Sequence, residues 1–81
     1  MRIPRDLEIS LATLMATLDD ENIPCEYSIE DFTKYYMKVV LYSGTHQITC
    51  LYDLYGCNED FMLGISWWKD TLIKYKEKGW L

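Results

Sequence analysis

The sequence holds one histidine, His46, and its four glycines (Gly44, Gly56, Gly64 and Gly79) stand singly. A lone imidazole leaves no partner for a histidine relay or a multi-histidine metal site, and scattered glycines form no phosphate-cradling loop. No apolar run approaches the roughly 20 residues that a membrane-spanning helix needs. Met1-Arg2-Ile3-Pro4 opens onto a charge-studded segment rather than the apolar core of a signal peptide, so the expected compartment is the cytoplasm. Cysteine is scarce and odd in number. Cys25, Cys50 and Cys57 fit reduced thiols better than a disulfide framework and read as buried, inert small hydrophobes.

Positive charge is also short, with 8 Lys and Arg against 13 Asp and Glu for a formal charge of −5. A surface that neutralises phosphates needs the opposite balance, so direct nucleic-acid binding is not expected. Lys34 and Lys38 beside Tyr36 hint at a platform for single strands, but two lysines are too few. The acidity is local. Residues 1–33 carry Asp6, Glu8, Asp19, Asp20, Glu21, Glu26, Glu30 and Asp31 against only Arg2 and Arg5, and the remainder is close to balanced.

Catalytic constellations are equally thin. His46 and Cys50 lie four residues apart on one expected strand, roughly 13 Å at about 3.3 Å per residue, and so cannot touch. The same extended spacing works against gathering three cysteines and one histidine around zinc. The adjacent acids Asp19-Asp20, Glu30-Asp31 and Glu59-Asp60 read as solvated neighbours rather than as an acid/base pair. No catalytic residue, metal ligand or cofactor is expected, and an enzyme is not the reading.

Apolar and aromatic residues are abundant. The types AVILMFWYC make up 49% of the 81 residues, with three Trp, seven Tyr and two Phe. That supply supports a packed core without a metal or disulfide, in one α+β domain spanning 1–81. Pro4 suits a helix start, and Leu7, Leu11, Leu14 and Leu18 recur at helical spacing, predicting a helix over about 5–18. Asp19-Asp20-Glu21-Asn22 opposes the dipole at its C-terminal end, and Pro24 follows as a break. The next stretch stays open between two readings, a short third strand at about 25–29 (Cys25, Tyr27 and Ile29 alternating) and a capped helical turn beginning at Ser28.

An antiparallel hairpin turning at Ser43-Gly44 is the strongest local pattern. In that register Tyr42 faces Thr45, and Met37 with Cys50, Val39 with Ile48 and Leu41 with His46 share an apolar face. Lys34 with Asp53, Tyr36 with Leu51 and Lys38 with Thr49 share the other. After Tyr55-Gly56-Cys57, Asn58 is placed to cap an amphipathic C-terminal helix that runs to about Lys78 and packs on one sheet face. Its stripe is Phe61, Ile65, Trp68, Leu72 and Tyr75. Gly79 is placed as the left-handed residue after that helix, folding Trp80 back onto Tyr75.

Adjacent helix positions point about 100° apart, so Trp68 takes the core and Trp67 flanks it near Leu63. On the hairpin's second face Tyr36, Val40, Tyr42 and Leu51 need either cover from the first helix or the 25–31 segment, or a partner. Trp and Tyr concentrate at the hot spots of protein interfaces. The expected function is therefore a non-catalytic module that docks on a protein with a basic surface. Its candidate contact residues are Asp19, Asp20, Glu21, Glu26, Glu30 and Asp31 with Tyr36, Tyr42 and Trp67. A basic surface is often a nucleic-acid-binding site, and the layout resembles small phage-encoded inhibitors of the anti-CRISPR or anti-restriction kind. The other expectation is a homo-oligomerising structural domain, a homodimer for example, that uses the second hairpin face or an edge strand.

Overall fold

In the computed structural model, which describes residues 3–81, the leucine stripe forms helix α1 (Arg5–Asp20), and Leu7, Leu11, Leu14 and Leu18 are all buried. The Met1-Arg2 start, read above for its charge, lies outside the described residues. Asp6 and Glu8 sit in the first turn, where the helix dipole favours negative charge. The helix runs two residues past the expected end. Asn22, with φ of 58°, takes the left-handed position that closes it. Asn22 N–H then donates to Asp19 O and Ile23 N–H to Leu18 O, both at 2.9 Å, and buried Ile23 and Leu18 complete a Schellman close. Asn tolerates this backbone better than other non-glycine residues, and for that reason the acidic run ends the helix here.

Three strands follow, β1 (Glu26–Asp31), β2 (Tyr36–Ser43) and β3 (His46–Asp53), in one antiparallel sheet of order β1-β2-β3. Of the two readings for the stretch after Pro24, the strand is the one observed, over 26–31. The hairpin register differs from expectation. Tyr42 pairs with Gln47 and Ser43 with His46, so the two-residue turn is Gly44-Thr45 rather than Ser43-Gly44. Gly44 has φ of +60° and is the first central residue, the position that a type II′ turn reserves for glycine. Ser43 instead closes the strand, buried, with its Oγ donating to Pro24 O at 2.7 Å. Lys34 consequently falls in the turn before β2, and Tyr36 rather than Lys34 stands opposite Asp53. The membership of the two faces survives, because the shift keeps odd residues of β2 opposite even residues of β3.

Helix α2 (Glu59–Glu77) buries Phe61, Ile65, Trp68 and Leu72. Asn58 does not cap it with its side chain. Its amide turns back to the end of β3, where Oδ1 accepts from Asp53 N–H at 2.7 Å and Nδ2 donates to Asp53 O at 2.9 Å. The other end of α2 is as expected. Gly79 has φ of 74°, Trp80 N–H donates to Tyr75 O at 2.8 Å, and the two rings lie 5.4 Å apart.

Both helices lie on the same side of the sheet. One cluster joins the α1 leucines, Met37, Val39 and Leu41 of β2, Tyr52 of β3 and the α2 stripe. Each fully buried leucine contributes about 1.5–3 kcal/mol by leaving water. The acids at the end of α1 are offset by Lys76 of α2, which donates to Glu21 O and lies 3.7 Å from the Glu21 carboxylate. Among the described residues no helix is long and apolar enough to cross a membrane.

Candidate functional site

Because both helices choose one face, the other face of the sheet stays open. Alternation along the strands sends Glu26, Ser28 and Glu30 of β1, Tyr36, Lys38, Val40 and Tyr42 of β2, and Gln47, Thr49 and Leu51 of β3 to that outer side. Tyr36, Tyr42 and Leu51 are exposed, while Val40 on the same face is buried. Tyr42 Oη and Ser28 Oγ are 3.4 Å apart. Glu30 pairs with Lys38 at 2.6 Å, which neutralises the centre of the face, and Glu26 stands opposite Tyr42 on the β1 side. The result is an aromatic and aliphatic strip with carboxylates along one border.

The other acidic candidates are elsewhere. Asp19 and Glu26 line a shallow groove between the end of α1 and β1, together with Met15, Ala16 and Tyr27. Asp20 is exposed at the tip of α1, and Glu21 is engaged by Lys76. Asp31 is paired with Met37 on β2 and projects to the helix side of the sheet. Trp67 is exposed on α2, on the opposite side of the sheet from Tyr36 and Tyr42. The structure therefore joins Glu26, Glu30, Tyr36 and Tyr42 on one face and separates Asp19, Asp20, Glu21, Asp31 and Trp67 from it. Sequence reasoning passed over Ser28, whose outward position is visible only once β1 is paired with β2.

The cysteines divide differently from expectation. Cys25 and Cys50 are half-buried, but Cys57 is exposed in the loop before α2, since the Asp53 carboxylate folds that loop outward by accepting from the N–H groups of Tyr55 and Gly56. Burial pushes the Cys25 and Cys50 thiols above their ordinary value. At Cys25 the rise is partly opposed by the neighbouring Trp68 indole, whose buried N–H has no partner of regular hydrogen-bond geometry. His46 lies against Tyr75, ring centroids 5.0 Å apart, at the far end of the hairpin from Cys57. Among the described residues no group of three His, Cys, Asp or Glu side chains is arranged to hold a metal ion.

Beyond the molecule itself, no protein-family model matches the chain, and no curated protein or solved structure does so either.

Proposed function

We propose that this chain is a non-catalytic, acidic protein-binding module that works by occlusion, laying its open sheet face on a basic surface of its target. The observation that carries the reading is the outer face itself. A small domain seldom leaves two tyrosines and a leucine in one exposed strip without a partner, and an exposed apolar patch rimmed by polar groups is the usual mark of a protein contact. Glu26 on the border of the strip, with Asp19 and Asp20 beyond it, gives that side of the molecule a negative field that steers it toward basic surfaces. Basic surfaces commonly bind nucleic acid. The target class is accordingly a nucleic-acid-acting enzyme or complex of a host, and the module is an inhibitor of the anti-CRISPR or anti-restriction type, phage- or mobile-element-encoded and acting in the cytoplasm.

The test is a cleavage assay with a panel of purified defence nucleases, in which the protein is titrated against each. Dose-dependent protection of the nucleic acid by one of them is expected. Charge reversal at Glu26 and Asp19 should then slow association, and Tyr36→Ala and Tyr42→Ala should speed dissociation. Inhibition that is unchanged in all four variants, or a panel in which no enzyme is slowed, refutes the reading. The second reading, self-association, is favoured by a separate observation on β3.

A further inference from the structure

The sheet has two free edges, and they are not alike. The β1 edge is lined by Glu26, Glu30 and Asp31, so two copies meeting there would bring like charges together. The β3 edge runs from His46 to Tyr52 without a lysine, arginine, acid, proline or glycine, and two of its residues are β-branched. Exposed edges of this length are ordinarily guarded by charge, proline or a bulge.

The hydrogen-bond pattern fixes which backbone groups this edge offers. Residues flanking a two-residue turn bond to each other, so Ser43 and His46 are a bonded pair, and bonded pairs recur at every second residue. Even-numbered residues of β3 thus face β2, and Leu54 N–H continues the series by donating to Tyr35 O at 2.9 Å. The odd-numbered residues Gln47, Thr49, Leu51 and Asp53 point their N–H and C=O groups to the open edge. Asp53 is already served by the Asn58 amide, which takes the place of a neighbouring strand and ends the edge there. Gln47, Thr49 and Leu51 remain, centred on Thr49.

That spacing is self-complementary. We propose that the β3 edge is a homodimer interface, on which a second copy of this chain adds its own β3 antiparallel about a two-fold axis through Thr49. Gln47 then pairs with Leu51 of the second copy, Thr49 with Thr49, and Leu51 with Gln47, forming six backbone hydrogen bonds and a six-stranded sheet. The Gly44-Thr45 turn bounds one end of the paired stretch and Asn58 the other. The helix layer agrees with this. Met62, Ser66 and Lys69 of α2 line the groove toward α1, while Gly64 abuts Cys50 and shares a hollow with Thr49 and Leu51 at the β3 edge. Trp67, exposed one turn further along, lies on that second flank of α2, so the two-fold brings the Trp67 flanks of both α2 helices toward each other. The acidic border of each copy lies at the outer ends of the six-stranded sheet, as far apart as the assembly allows. This interface does not depend on the inhibitor reading, and its effect is to double the open face into one continuous surface.

The experiment is sedimentation equilibrium on the full chain across a concentration series, with two variants and their mixture. The wild type should show a monomer–dimer equilibrium in the roughly micromolar range, because an edge of this size buries little area. T49K alone and T49E alone each place like charges against themselves at the axis, and each should weaken dimerisation at least tenfold while keeping the wild-type circular dichroism spectrum. An equimolar mixture of T49K and T49E should restore the dimer. On association the summed tryptophan emission should shift to the blue, through Trp67, in the wild type and the mixture and not in the single variants. A wild type that stays monomeric up to about 1 mM, or a dimer that T49K leaves intact, overturns the proposal. So does a mixture that fails to recover.

Discussion

Replacing Gly44 by each enantiomer of alanine isolates what the turn asks of its backbone. At this position a Cβ would meet nothing within 4 Å, so the substitution creates no clash and its whole effect comes from φ, which is +60°. An L-residue held in the left-handed region costs about 1–2 kcal/mol. D-alanine prefers that region and removes freedom from the unfolded chain, which stabilises by about 0.4–1 kcal/mol. Both enantiomers restrict the unfolded chain equally, so they should differ by the left-handed strain alone, about 1–2 kcal/mol, at roughly 4–8 °C per kcal/mol for a domain of this size. The chain can be assembled by ligation at its own cysteines and melted by circular dichroism. Ser43→Ala supplies the second half of the test. Its hydroxyl is buried and bonded to Pro24 O, so its loss should cost about 1–2 kcal/mol. Equal melting of the two alanine enantiomers would refute the turn assignment, and a silent Ser43→Ala would return the turn to Ser43-Gly44.

Leu11 is fully buried at the centre of the α1 stripe, and Leu11→Ala should cost about 3 kcal/mol in urea unfolding. That is a large share of the about 4–12 kcal/mol expected of 81 residues. A loss below about 1 kcal/mol would mean that α1 does not pack as described. The thiols should react in sequence with an aromatic disulfide reagent at mildly alkaline pH, Cys57 first and Cys25 and Cys50 slowly, because burial keeps the latter two protonated. The sign for stability follows from the same shift. As pH rises, these two thiols ionise in the unfolded chain before they do so in the folded one, so stability should fall above the ordinary thiol pKa of about 8.5. Replacing Cys25 and Cys50 by alanine should flatten that decline, and an unchanged profile would assign it to other groups.

Much of the architecture was written in local spacing. The four α1 leucines and the Phe61, Ile65, Trp68 and Leu72 stripe repeat at helical intervals, and all eight are buried. Gly79 marked the end of α2 because only a left-handed residue closes that turn. Asn22 closes α1 in the same way, but asparagine signals this role less strongly than glycine. The hairpin was legible in its faces but not in its register. Alternation has a period of two, and a turn at 43–44 or at 44–45 leaves the same side chains on each face, so only the cross-strand pairing of Ser43 with His46 separates them. Asn58 looked like a helix cap because its place before Glu59 and Asp60 is right for one. It bonds to Asp53 instead, because the loop brings the end of β3 within reach.

What the sequence determined by itself, then, was the identity of the elements and the side of each that seeks the core, because these depend on residues a few positions apart. Tertiary structure alone decided that α1 and α2 settle on the same face of the sheet, leaving Tyr36, Tyr42 and Leu51 open, and that β1 lies beside β2 and leaves β3 as an uncharged edge. Those choices rest on how elements far apart in the chain pack together. No periodicity within one segment carries that information.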